Sequence, residues 1–117
     1  MLKLRDGIKI YLSTNRIDMR KSIDGLSAII FDHFEAQPTT GNVFIFINKP
    51  RDKVKLLFWD LNGFMLCYKR IEKGKFRINA KETGNIELTQ EQLDWLLAGL
   101  DFILMNKFPE LNYCNYY

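Results

Sequence analysis

The chain has 117 residues, 47% of them apolar and 14% aromatic, with a formal net charge of +3. That composition supplies the core of one domain and excludes disorder along the chain as a whole. A membrane-spanning protein is excluded too, because the apolar run Val43 to Ile47 is far short of the ~20 residues a spanning helix needs.

Lys9 to Ser13 alternates Ile10 and Leu12 with Lys9 and Tyr11 and is expected to be a first strand. A helix follows, with Asp18 or Ser22 as its cap and Met19, Ile23, Leu26, Ile30 and Phe34 as its apolar stripe. Gly25 lies inside it, where it costs helix preference and is expected to allow a close approach to the sheet. Gln37 to Asn42 is a loop. Val43 to Asn48 is apolar on both faces, as a central strand covered on both sides would be.

Lys53 to Asp60 and Phe64 to Glu72 form a hairpin through Leu61, Asn62 and Gly63. Asn62-Gly63 as a two-residue turn pairs Leu61 with Phe64, whereas a three-residue loop with Gly63 as a bulge pairs Asp60 with Phe64. Both registers are open. Phe76 to Asn79 is expected to add a short strand. Thr89 and Gln92 have the spacing of a capping box before a helix whose buried stripe is Leu93, Leu96, Leu97 and Leu100. Pro109 is expected to end any continuation of that helix. The expected fold is a single α+β domain over residues 1–111, with a largely antiparallel sheet of about four to five strands and two helices. Residues 112–117 are expected to be a flexible tail.

The chemistry of most enzymes is hard to build from these residues. His33 stands without a motif around it, and no glycine-rich phosphate loop occurs. Cys67 and Cys114 lack C-x-x-C spacing, so neither a disulfide framework nor a zinc site is expected. A reduced, cytoplasmic compartment is the simplest setting, and Met1 to Lys9 has no apolar run of the kind a secretory leader needs. Asp18, Asp24, Asp60 and Glu72 are the carboxylates a two-metal site would draw on, yet caps, turns and the helix dipole account for the aspartates. No catalytic residue, metal or cofactor is expected.

Charge is the more informative signal. Residues 49–81 carry ten Lys/Arg against three Asp/Glu, and residues 82–117 carry one against six. The candidate phosphate-binding residues are Arg20, Lys21, Lys53, Lys55, Lys69, Arg70, Lys73, Lys75 and Arg77. Trp59, Phe64, Tyr68 and Phe76 are interleaved with them and are expected mainly to be core, although aromatic faces also stack on exposed bases.

Asp18-Met19-Arg20-Lys21 followed by Asp24-Gly25-Leu26, the segment Val43 to Phe46 with the block Lys55 to Phe64, Tyr68 to Gly74 with Phe76, and Leu88 to Leu100 together resemble a known family. It is the second-reading-frame (TnpB-type) protein of the insertion sequence sixty-six group of bacterial mobile elements. Leu61 departs from the small residue usual at that turn, and Phe76-Arg77-Ile78 lacks the family's proline-containing continuation. The resemblance implies an accessory role in transposition beside a separate transposase that carries the acidic triad. Two modes of action fit: binding the DNA of the element's ends through the basic hairpin, or docking onto the transposase without binding DNA.

Overall fold

The computed structural model describes residues 4–78 and 84–100. Among the described residues, five strands and two helices follow one another as β1 (Ile10–Arg16), α1 (Ile23–His33), β2 (Val43–Ile47), β3 (Lys53–Asp60), β4 (Gly63–Arg70), β5 (Asn85–Leu88) and α2 (Gln90–Leu97). The strands form one sheet in the order β4-β3-β2-β1-β5. Neighbours are antiparallel except β1 and β2, which run parallel and are joined across α1. The α+β fold expected from sequence is therefore the observed one, with one parallel pair at its centre.

Every residue of β2 is buried, as its two-sided apolar pattern requires. Val43, Ile45 and Ile47 join a core with Leu93, Trp95 and Leu96 of α2. Phe44 and Phe46 join a second core with Leu26 and Ile30 of α1. Alternation along the strand thus sends successive side chains into different cores. The α1 core is aromatic: Phe34 meets Phe44 edge to face at 5.1 Å and Phe46 at 6.0 Å, while Tyr11 stacks on Phe44 at 5.8 Å.

The two helices are terminated differently. Thr89 Oγ1 accepts from the Gln92 amide at 3.1 Å, and Gln92 Oε1 accepts from the Thr89 amide at 2.9 Å, which is the expected capping box. α2 closes well before Pro109. Gly99 at φ +80° lets its own amide reach the Leu96 carbonyl and the Leu100 amide reach that of Trp95, a Schellman arrangement that satisfies two end carbonyls. By contrast, Ser22 caps α1 without a side-chain hydrogen bond. Asp18 is not the cap: its carboxylate accepts from the amide and guanidinium of Arg20. A Cβ on Gly25 would meet Lys21 Cβ at 3.3 Å, so the space it leaves is taken by that side chain and not by the sheet.

The hairpin takes neither expected register. Asp60 pairs with Gly63 and Trp59 with Phe64, so Leu61 and Asn62 are the turn. Leu61 has φ 57° and is 84% exposed, taking the left-handed conformation that Asn-Gly would have accepted at less cost. Residues 75–78 form no strand; Phe76 instead anchors the exit from β4, fully buried, with its amide on the Arg51 carbonyl at 2.7 Å. The strand that lies beside β1 is β5. Asn79, Pro109, Cys114 and the tail 112–117 lie outside the described residues.

Candidate nucleic-acid interface

The turn from β2 to β3 is organised by Asn48, a buried amide. Its Oδ1 accepts from the amides of Asp52 (3.1 Å) and Lys53 (3.0 Å), and its Nδ2 donates to Asp52 Oδ1 at 2.7 Å. A side chain that mimics backbone in this way holds a tight turn. Arg51 sits within that turn at φ 62°. The hydrogen bond from Asn48, followed by the charge of Lys53, holds the Asp52 carboxyl below its ordinary range.

This turn lies beside the end of β1, because β1 and β2 are parallel and finish together. A cleft of about 550 Å³ opens there, lined by Arg16, Ile17, Asp18, Met19, Arg20, Asn48, Lys49, Pro50, Lys53 and Tyr68. Ligand crevices in parallel sheets likewise form outside the carboxyl ends of strands. Four of the lining side chains are cationic and one, Asp18, is anionic. Asp18 is already neutralised: Arg20 Nη2 approaches its Oδ2 at 2.6 Å, and that hydrogen bonding lowers the Asp18 pKa to about 2. Arg16 feels the opposite pressure. Burial first, and then the positive charge of Arg51, lower its pKa. An anion placed beside Arg16 would offset the repulsion from Arg51.

The nine basic candidates do not form one continuous surface. Lys53 and Arg20 line the cleft. Lys21 is exposed near it, and its carbonyl accepts from Lys55 Nζ at 2.7 Å. Lys55 also donates to the Met19 carbonyl at 2.8 Å, so it ties the segment before α1 to the sheet. Lys69 reaches across the other face to the Leu97 carbonyl at 2.5 Å, placing a cation at the C-terminal end of α2 where the helix dipole favours it. Arg70 is paired with Glu72 at 2.9 Å. Lys73, Lys75 and Arg77 are exposed beyond β4 and form no ion pair among the described residues. The sequence reading missed Arg16, Lys49 and Arg51, which a parallel strand pair and one tight turn bring together.

The acidic candidates are scattered. Asp18 and Glu72 pair with arginines, Asp60 lies 4.0 Å from Arg5, and Asp24 occupies the first turn of α1. Among the described residues no three His, Cys, Asp or Glu side chains come together as a metal site. No described helix is long and apolar enough to cross a membrane.

Comparison with known proteins gives this geometry a context. A family model described as IS66 Orf2 like protein matches residues 8–107, a stretch that contains every residue of the cleft. The chain belongs to that family. The uncharacterized protein y4jC of Sinorhizobium fredii is 31% identical over 103 residues, covering 88% of each chain. The uncharacterized protein y4hO of the same organism is 28% identical over 102 residues, covering 87% of this chain and 89% of its own. No solved structure matches. Membership of the IS66 Orf2-like family supports an accessory role in transposition.

Proposed function

We propose that the protein assists transposition by gripping DNA through its phosphates, without itself catalysing strand chemistry, and that the grip lies in the cleft at the ends of β1 and β2. The observation that carries this reading is the cleft's charge: Arg16, Arg20, Lys49 and Lys53 line it with one carboxylate, Asp18, which pairs with Arg20, while Lys53 also pairs with Asp52 at 3.4 Å and Arg16 donates to the Thr14 carbonyl at 2.9 Å. Arg51 adds a further positive charge next to Arg16. Lys73, Lys75 and Arg77 extend the positive field as exposed flanking charges. Lys55 and Lys69 contribute mainly by holding backbone, since each is committed to carbonyl oxygens.

The test is mobility of a labelled element end with the purified chain over a salt series. Each phosphate contact contributes a slope of about −0.9 in log affinity against log salt. Replacing Arg16, Lys49 and Arg51 together by Gln is expected to flatten the slope by about 2–3 units. Replacing Lys73, Lys75 and Arg77 is expected to change it less. A wild-type chain without affinity for any DNA at low salt would overturn the reading. Docking onto the transposase would then be the mode of action, and the exposed Leu61 and Met65 at the hairpin end are the apolar surface that favours it.

A further inference from the structure

The aromatic residues interleaved with the basic run have separate fates. Phe76 is fully buried, and Trp59 meets Phe64 edge to face at 5.0 Å, both half-buried. Tyr68 differs from all three. It is 54% exposed and forms part of the cleft wall among the cations. Lys55 Nζ lies 5.7 Å from its ring centroid, and Lys55 is itself fixed by the carbonyls of Met19 and Lys21. The ring is therefore positioned from β3 by an anchored cation, an arrangement that stabilises an exposed aromatic in one place.

An aromatic ring in such a place has little to offer a duplex, whose base faces are stacked on one another. It has much to offer an unpaired base, because every base has a face that stacks on an aromatic side chain. The cleft volume of about 550 Å³ falls in the range of small-ligand pockets, about 300–1,000 Å³, which is room for a nucleotide. We infer that the cleft is a single-strand site, in which Arg16 and Lys49 hold a backbone phosphate and Tyr68 stacks on the adjoining unpaired base. This rests on the DNA-binding reading above and adds to it the form of DNA bound.

The experiment is fluorescence anisotropy of the full chain with a labelled ten-nucleotide oligothymidylate and with the corresponding thymidine–adenosine duplex. Thymidine monophosphate serves as competitor. The single strand is expected to bind at least about tenfold tighter than the duplex. Tyr68→Leu is expected to weaken single-strand binding roughly 5- to 150-fold, the range of one lost base stack, and to leave duplex binding within about twofold. Tyr68→Phe, which keeps the ring, is expected to bind as the wild type does and to melt at the same temperature. Duplex binding as tight as single-strand binding, with no effect of Tyr68→Leu, would overturn the inference and leave the DNA-binding reading standing. Absence of binding to either DNA would remove both. Thymidine monophosphate competing at the oligonucleotide's own dissociation constant would also overturn it, since the strand would then add nothing to a free nucleotide.

Discussion

The two helices lie on opposite faces of one sheet and are secured in opposite ways. α2 is written almost entirely in its own neighbourhood, with a reciprocal cap at Thr89 and Gln92 and a left-handed glycine at Gly99. α1 has a cap residue without a side-chain bond and a glycine within its first turn. What holds it is distant in sequence: Phe44 and Phe46 of β2, Tyr11 of β1, and Lys55 of β3 clasping the segment before it. Local signals specify the first kind of helix, whereas tertiary packing makes the second.

Breaking the packing of α1 is expected to have the largest effect. Phe44→Ala removes a fully buried ring that contacts both Tyr11 and Phe34, and urea unfolding is expected to show a loss of about 3–5 kcal/mol. A loss below about 1 kcal/mol would mean that α1 is held by something other than this aromatic cluster. The termination of α2 comes next. Gly99→Ala places a Cβ 3.2 Å from Ile71 Cδ1 at φ +80°, and is expected to cost about 1–2 kcal/mol from the left-handed backbone alone.

The caps give the sharpest contrast. Thr89→Ala is expected to cost about 1 kcal/mol, typical of a lost N-cap. Ser22→Ala has no such bond to lose and is expected to change stability by less than about 0.5 kcal/mol. Equal losses for the two in thermal melts would erase the distinction. The smallest effect is expected from acid. Asp18 has a folded pKa of about 2, below the ~3.9 of an unfolded aspartate. Folding therefore favours its charged form, and its contribution is complete above about pH 4 and lost as pH falls through the folded value. An Asp18→Asn chain is expected to lose slightly less stability than the wild type between pH 4 and pH 2. Parallel acid titrations followed by circular dichroism would check it.

The same contrast explains what could be read from sequence. The Thr89–Gln92 box was legible because both partners lie within one helical turn. The two-sided apolar run of β2 was legible because burial on both faces leaves its mark on every residue. The turn at Leu61 was misphased because Asn62-Gly63 is the stronger local signal, and pairing along eight-residue strands outweighed it. β5 was missed because it has four residues, half of them polar, and exists only by pairing with β1. Counting charges located the basic region but not the site within it. Whether a lysine is free depends on carbonyls far away in sequence, as with Lys55 and Lys69. Arg16 and Lys49 become neighbours only through the parallel pairing of β1 with β2, which no periodicity reveals.

The placement of β1 between β2 and β5 has a consequence for how the chain is made. Ile10 pairs with Leu88 and Ser13 with Asn85, so β1 waits for a strand synthesised after β2, β3 and β4. A nascent chain released or stalled before Asn85 can close the hairpin of β3 and β4, whose partners are adjacent, but carries β1 with an open flank. Long-range pairing of this kind slows folding relative to local contacts, and an unpaired strand flank is what aggregation recruits. Among the described strands, the last to emerge is therefore the one that shields the first.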